Sequence, residues 1–421
     1  MALRIVPLMI ALWLLAGAGQ AGGEESRWFP VDRVLEIELR LPPADWERLR
    51  REARDLGHGY PTTCLSEPPG QPYTWFEAGV KVDGRAYPRS RARKKGMWGS
   101  LDEARPSLKL RLGQPGDARP GTGRRLTLNN LVEDPSLVRT CLAYGLFRRA
   151  GLPAPRCALA HLRVNGADLG VYAHVERYGR SFLARAFGPG ELALWEGVES
   201  DFRAEQLPTF ARERGPAEAD GALVALAAAL PLPDAQALPA LERLLDLEAF
   251  LSFWALEVLT AHEDGYSYVA NNFFVVRGPG DGRLRFLPWG IEGSLSNTGD
   301  PAASYPILMA TRGALALRLY SLPATRERFA ERVRTLAEEL LDGDALAAEA
   351  ERLQRLAWAH APPAQRAAMV AADAVLLDFL CRRREVLRSV LELGPPTEGL
   401  ELPAPPCVPG TPLGQPAPAP E

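Results

Sequence analysis

One segment constrains the fold of this chain more than any other. Residues 247–260 (LEAFLSFWALEVLT) read as a largely apolar helix, and a helix that is apolar on most faces belongs inside a core. The polar cluster His262-Glu263-Asp264-Gly265 follows at once. Then NNFFVV, a tight turn over Gly278–Gly282 and RLRFLPW make a hairpin. A buried helix therefore delivers a short polar loop to the foot of two strands.

The segments before it are mostly strands. VDRVLEIELRL (31–41) alternates, and Pro43–Asp55 reads as a charged amphipathic helix. FEAGVKVDGRAY and RARKKGMWG give strands around a turn at Asp83-Gly84, and SLKLRLG (107–113) gives another, with RRLTLNNL after it. Asp134-Pro135 reads as the N-cap and first residue of a helix ending at Gly151. CALAHLRVNGADLGVYAHVE is a hairpin around Asn165-Gly166. Residues 178–260 read as mostly helical, with a Pro-punctuated loop at 231–240. The chain is read as helical again from Pro306 to Leu393. The second hairpin thus looks isolated among helices.

This order predicts an α+β, two-lobed, protein-kinase-like fold: a β-rich N-lobe with one main helix, then a mainly helical C-lobe whose catalytic loop follows a long helix and precedes two strands. The expected boundaries are 1–21 for a signal peptide, 27–176 for the N-lobe, 177–393 for the C-lobe and 394–421 for a disordered tail. The leader has one Arg, an apolar run from Ile5 to Leu15 and small residues for cleavage, too short for the ~20 residues of a membrane span. The tail from Pro395 holds ten Pro. An exported protein without stable membrane insertion is expected.

The charge balance is 49 − 52 = −3 over 421 residues, which excludes a dedicated nucleic-acid binder. Five Cys leave at least one unpaired; Cys141 and Cys157 read as small core residues. His58, His161, His174 and His360 are scattered without ligand spacing, and His262 reads as a brace for the loop. No Walker A loop, GxSxG elbow or HExxH is present.

Phosphoryl transfer needs a group to take or orient the hydroxyl proton and hard oxygen ligands for Mg²⁺. Asp264, then Asn271 or Asn272, then Glu292 stand in the order of those roles. A small-lobe lysine must also hold phosphates. Only four of the 49 basic residues are Lys (Lys81, Lys94, Lys95, Lys109), so 49 − 4 = 45 are Arg. Lys is a compact ammonium and Arg a planar fork, so the two do not interchange at a phosphate site. Lys109, then Lys95, are the candidates by strand order; Arg89, Arg91 and Lys94 read as a solvated basic edge. Glu176, at the end of the hairpin, is a candidate nucleotide contact, with a structural ion pair as its rival reading.

The chain resembles the CotH family, secreted kinase-like proteins named for a spore-coat protein. The resemblance rests on RARKKG, SLKLRL, LTLNNLVEDPSLVRTCLAYGLFRRAGLPAPR, HLRVNGADLGVYAHVE, LALWEG, HEDGYSYVANNFFVV and RLRFLPWGIE, from about Val31 to Leu393. It implies an atypical kinase fold, ATP with Mg²⁺ or Mn²⁺, and phosphorylation of Ser on secreted or cell-surface proteins. By position Asp264 matches the catalytic Asp and Asn272 the metal-side Asn. Glu292 stands where the family has Asp, and Arg105 where it often has Lys. Glu292 leaves a non-catalytic kinase-fold scaffold as the alternative, and AMP transfer on the same fold as a third reading.

Overall fold

The computed structural model describes residues 26–53, 65–70, 72–96, 102–114, 119–296 and 313–392. The expected leader, the Pro-rich tail, His58, Cys64 and Cys407 lie outside them. Two β-assemblies and a set of helices make a mixed α+β architecture.

Seven strands close a barrel: β1 (Leu35–Arg40), β2 (Phe76–Val82), β3 (Arg85–Lys94), β4 (Leu108–Arg111), β5 (Arg125–Asn129), β6 (Cys157–Val164) and β7 (Ala167–Val175). Their order is β1-β2-β3-β4-β5-β7-β6. A single parallel seam, Glu36 beside His161, closes it; the other pairs are antiparallel. Alternation fills the interior with Leu35, Ile37, Leu39, Val80, Leu108, Leu110, Leu126, Leu128, Ala160, Leu162 and Tyr172. A helix at Pro43–Arg51 (α1) follows β1.

β6 and β7 are buried on both faces. Their inward residues fill the barrel, while Leu159, Val171, Ala173 and Val175 face a second core. Helix α2 (Arg139–Arg149) lies in that second core, with Phe147 against Phe253 (ring centroids 6.0 Å). The main helix of the β-rich half is therefore packed with the helical half.

α2 begins four residues later than the sequence suggests. Asp134 is no helix N-cap: Asp134-Pro135-Ser136 form a buried turn, and the Asp134 carboxylate accepts the Arg139 N–H (2.8 Å), the Arg139 Nε–H (3.0 Å) and the Ser136 hydroxyl. Cys141 on α2 and Cys157 on β6 are joined as a disulfide, not separate core residues. Cys381 is a free thiol.

The second half is also less helical than expected. After α3 (Arg180–Phe187) come two short strands, β8 (Ala193–Gly197) and β9 (Ala211–Arg214). The later hairpin, β10 (Phe273–Arg277) and β11 (Leu284–Pro288), is not isolated: it joins them in the order β11-β10-β8-β9. Residues 231–240 are not simply a loop, since Asp234–Leu244 form α5 with Pro239 inside, after α4 (Gly221–Ala229). Helix α6 (Leu247–Thr260) is buried as expected. Trp254 stacks at 3.6 Å on Phe329 of α9 (Pro323–Leu340), which follows α8 (Ala314–Ser321). Two long helices, α10 (Gly343–His360) and α11 (Pro363–Glu392), close the chain. Arg383 of α11 donates to the Val258 and Leu259 carbonyls (2.5 and 3.3 Å), satisfying the C-terminal turn of α6.

The disulfide closes a loop with a sequence separation of 16. Cross-linking a loop of that length is worth about 3 kcal/mol through the unfolded chain. Cys141→Ser with Cys157→Ser should lower stability by about 2–4 kcal/mol, read as a lower urea midpoint. An unchanged midpoint would mean the bond does not hold α2 to the barrel.

Candidate active site

α6 ends at Ala261 in the left-handed region (φ 52°), and this turns the chain into the loop 262–272. Glu257, buried in the last turn, organises the loop. Its carboxylate accepts the N–H groups of Tyr266 (2.8 Å) and Ser267 (2.9 Å), which start a helical turn at Tyr266–Val269 (α7). Burial pushes the Glu257 pKa up to about 7. Gly265 is required by close approach: a Cβ there would overlap the Glu257 carboxylate and the His262 ring. His262 is buried, and burial draws its pKa down to about 4, so it is neutral at pH 7 and packs as a brace.

Asp264 projects from this loop, and both asparagines clasp it. Asn271 donates to one carboxylate oxygen (2.9 Å) and Asn272 to the other. Asn271 is held in turn by the Glu199 N–H (3.2 Å). The Asp264 side chain is exposed on one side, yet partial desolvation raises its pKa, and the carboxylates of Glu133 and Glu199 add to the effect. Asn272 has φ 51° and lies against Gly290 (φ 52°), where a Cβ would overlap its side-chain amide. The glycine of Trp289-Gly290 is therefore a steric condition for the position of Asn272.

Glu292 follows β11 and faces the barrel. Its carboxylate accepts a hydrogen bond from Asn129 at the end of β5, and the Asn129 Oδ1 accepts from the Lys95 ammonium (2.6 Å). Asn129 thus bridges a cation of the barrel to a carboxylate of the other assembly. Burial raises the Glu292 pKa against the opposing pull of Lys95, and burial lowers that of Lys95 against the pull of Glu292. Lys109, on the adjacent strand, falls to about 8 through burial, with Glu196 opposing and Lys95 and Arg93 adding to the fall. Of the residues singled out from the sequence, Lys95 meets Glu292 through Asn129, Asn272 meets Asp264 directly, and Lys109 feels Lys95 electrostatically.

Asn129 and Glu257 were not singled out by the sequence reading, and neither was Glu196 on β8. Asn129 lies in the quoted LTLNNL stretch and Glu196 in LALWEG. Glu257 left a signal: a lone carboxylate inside an apolar helix needs a partner.

Other candidates have structural partners. Glu176 is 6% exposed, and both its oxygens are taken by arginines: Arg156 (2.7 and 3.1 Å) and Arg185 (2.8 Å), which hold its pKa low against burial. It lines a cavity of about 710 Å³ with Arg124, Arg125, Arg177 and Arg180. Arg105 donates to the carbonyls of Leu169, Asn130 and Val171 (2.8–2.9 Å), so it staples the β7 edge. Lys94 is not on a solvated edge: it is 1% exposed and donates to the Arg50 carbonyl (2.6 Å). The histidines are not all scattered either, since His161 and His360 meet at Glu36.

In this mixed α+β chain Asn129 joins Lys95 to Glu292, and Asn271 and Asn272 hold Asp264. Residues 92–365 match the family model described as CotH kinase protein, and the chain belongs to that family. It is 25% identical over 178 residues to the inner spore coat protein H of Bacillus subtilis (strain 168), covering 39% of this chain and 48% of that protein. It is 40% identical over 87 residues to an inner spore coat protein H-like protein of the same organism, covering 20% and 28%. The chain thus spans about half or less of the length of these curated relatives. A Helicobacter pylori proinflammatory kinase, CtkA, aligns over 66% of this chain and 95% of its own, with 10% identity and a TM-score of 0.26.

The site geometry makes two predictions. Gly290→Ala should displace the Asn272 amide, and the left-handed backbone strain should cost about 1–2 kcal/mol of stability, read as a lower urea midpoint; a wild-type midpoint would remove the steric argument. Glu257 has a folded pKa above its ordinary value of 4.5. Its contribution is complete below about pH 4.5 and falls as pH rises through 7. Wild-type stability should therefore decline between about pH 5 and 8 more steeply than that of Glu257→Gln, as measured by urea unfolding. Parallel curves would refute the assignment.

Proposed function

We propose that this chain is an exported protein kinase that transfers the γ-phosphoryl group of ATP to a Ser or Thr hydroxyl of secreted or surface proteins. One observation carries the reading. Two desolvated ammonium groups, Lys95 and Lys109, and two carboxylates of raised pKa, Glu292 and Asp264, form one electrostatic chain, in which Lys95 acts on Lys109 and Glu292, and Asp264 on Glu292. In each set burial outweighs the nearby counter-charge, and a triphosphate with a divalent cation would supply more to both. The donor set fits such a cation: the carboxylate of Glu292 and the amide oxygen of Asn272 are hard ligands suited to Mg²⁺ or Mn²⁺.

In this reading Lys109 and Lys95 bind the phosphates and Asn272 and Glu292 hold the metal. Asp264 orients the acceptor hydroxyl and takes its proton, with Asn271 and Asn272 fixing the carboxylate. When bound, the metal would neutralise charge on the phosphates. Glu176 belongs to the arginine-lined cavity, which would admit the rest of the nucleotide. Export is read from the N-terminal sequence; among the described residues no helix is long and apolar enough to cross a membrane.

A second reading, a kinase-fold scaffold without transfer, rests on Glu292. Its longer side chain already reaches Asn129, and Mg²⁺ demands near-ideal octahedral geometry.

Asp264→Ala should cut transfer by at least about 10²-fold while an ATP thermal shift persists. Lys109→Arg and Lys95→Arg should each weaken that shift. Absence of any Mg²⁺- or Mn²⁺-dependent ATP shift in the wild type would overturn the reading. A large gain of rate in Glu292→Asp would mark the natural protein as impaired.

A further inference from the structure

We infer that Glu36, His161 and His360 bind one divalent metal ion of the zinc class, which clips the end of α10 to the barrel. The site is separate from the catalytic cleft. Glu36 of β1 and His161 of β6 are direct partners across the parallel seam that closes the barrel. Their neighbours Leu35, Ile37, Ala160 and Leu162 point inward, so these two point out. His360 is the last residue of α10 and comes over the same seam. One ligand atom from each residue lies within 4.8 Å of the other two.

The distances suit a coordination sphere. The His360 Nδ1 is 2.9 Å from Glu36 Oε1, and the His161 Nδ1 is 3.1 and 3.3 Å from the two Glu36 oxygens. Ligands about 2.0–2.1 Å from a tetrahedral zinc stand about 3.3 Å apart. Two imidazoles and a carboxylate are a donor set that zinc, cobalt and nickel accept, with a position left for water.

The surroundings orient the ligands. His161 Nε2 is 2.8 Å from Asp168 Oδ1, and that oxygen is itself fixed by the Gly170 N–H (2.8 Å). A carboxylate on the far nitrogen is the usual outer partner of a metal-bound histidine, since it fixes the tautomer. With the proton on Nε2, the Nδ1 lone pair faces the Glu36 carboxylate. Two acceptors then oppose each other across 3.1 Å, and a cation between them removes the conflict. Arg163 donates to Glu36 Oε2 (3.1 Å), which leaves Oε1 for the ion. His161 is buried, while His360 and Glu36 are half-buried, so the ion has an entry path.

The test uses the full chain stripped with a chelator, then titrated with Zn²⁺ against a chromophoric competitor and with Co²⁺ for its visible spectrum. One equivalent should bind, and Zn²⁺ at about 100 times its Kd should raise the melting midpoint by about 3–5 °C. His360→Ala and Glu36→Gln should abolish the stoichiometric site. Asp168→Asn should weaken it about 10–100-fold, and Asp264→Asn should leave it intact. No bound equivalent, or equal affinity in His360→Ala, would overturn the site. A His360→Ala protein destabilised equally with and without Zn²⁺ would show an ion-pair cluster only, and would also overturn it.

Discussion

The cleft depends on one neutral amide. Asn129 receives the Lys95 ammonium on its oxygen and gives its N–H to Glu292. It sits on the last residue of a barrel strand, so this bridge links the barrel to the β10–β11 assembly. An ammonium and a carboxylate in a poorly solvated cleft attract strongly, and a close pair would neutralise both. An amide between them satisfies each with a hydrogen bond and keeps their charges apart. That arrangement leaves both charged groups in place, each with a neutral partner.

The bridge has meaning only because the two assemblies are held in fixed relation, and several independent devices do this. β6 and β7 are buried on both faces, one side in the barrel and the other in the helical core. α2 lies in the second core and is tied to β6 by the disulfide. Arg105 closes the β7 edge with three carbonyls, and Gln365 of α11 meets the same edge at the Val171 N–H (2.8 Å). Arg383 then fixes the turn of α6 from which the loop 262–272 departs. Glu257, one turn back, orients that loop from inside.

Much of this was legible in the sequence where local pattern decides. The alternating strands, the Asn165-Gly166 hairpin and the buried helix at 247–260 follow from periodicity and turn chemistry. The strands at 193–197 and 211–214 were not legible. They are short, and β8 is mostly buried, so ALWEG and ARER lack a period long enough to separate from helix. Pro239 suggested a break, but it lies within the α5 helix, where tertiary packing overrides its cost. The Cys141–Cys157 bond and the meeting of His161 with His360 depend on which elements become neighbours, which residue spacing does not encode. The order of Asp264, Asn272 and Glu292 was legible because one loop and one hairpin carry all three.

The division between arginine and lysine can now be given a physical basis. The half-buried Arg105 and Arg318 and the buried Arg139 and Arg383 each donate to backbone carbonyls, and three of them, Arg105, Arg318 and Arg383, use the guanidinium fork to reach two or more at once. A lysine at these places could supply a point charge but not the fork. Lys81 pairs with Glu38 on the surface, and Lys94, at the end of β3, donates to the Arg50 carbonyl of α1. Clustering of lysine was therefore an imperfect guide, since half of it has structural causes. Lys95 and Lys109 differ in kind. Burial disfavours their charge, and the acidic groups that act on them, Glu292, Glu196 and Glu213, come from other segments of the chain. A guanidinium would stay fully charged there and spread over a wider arc; an ammonium keeps its charge compact on a flexible stem. Compactness is what lets two cations stand near enough for Lys95 to add to the fall of the Lys109 pKa.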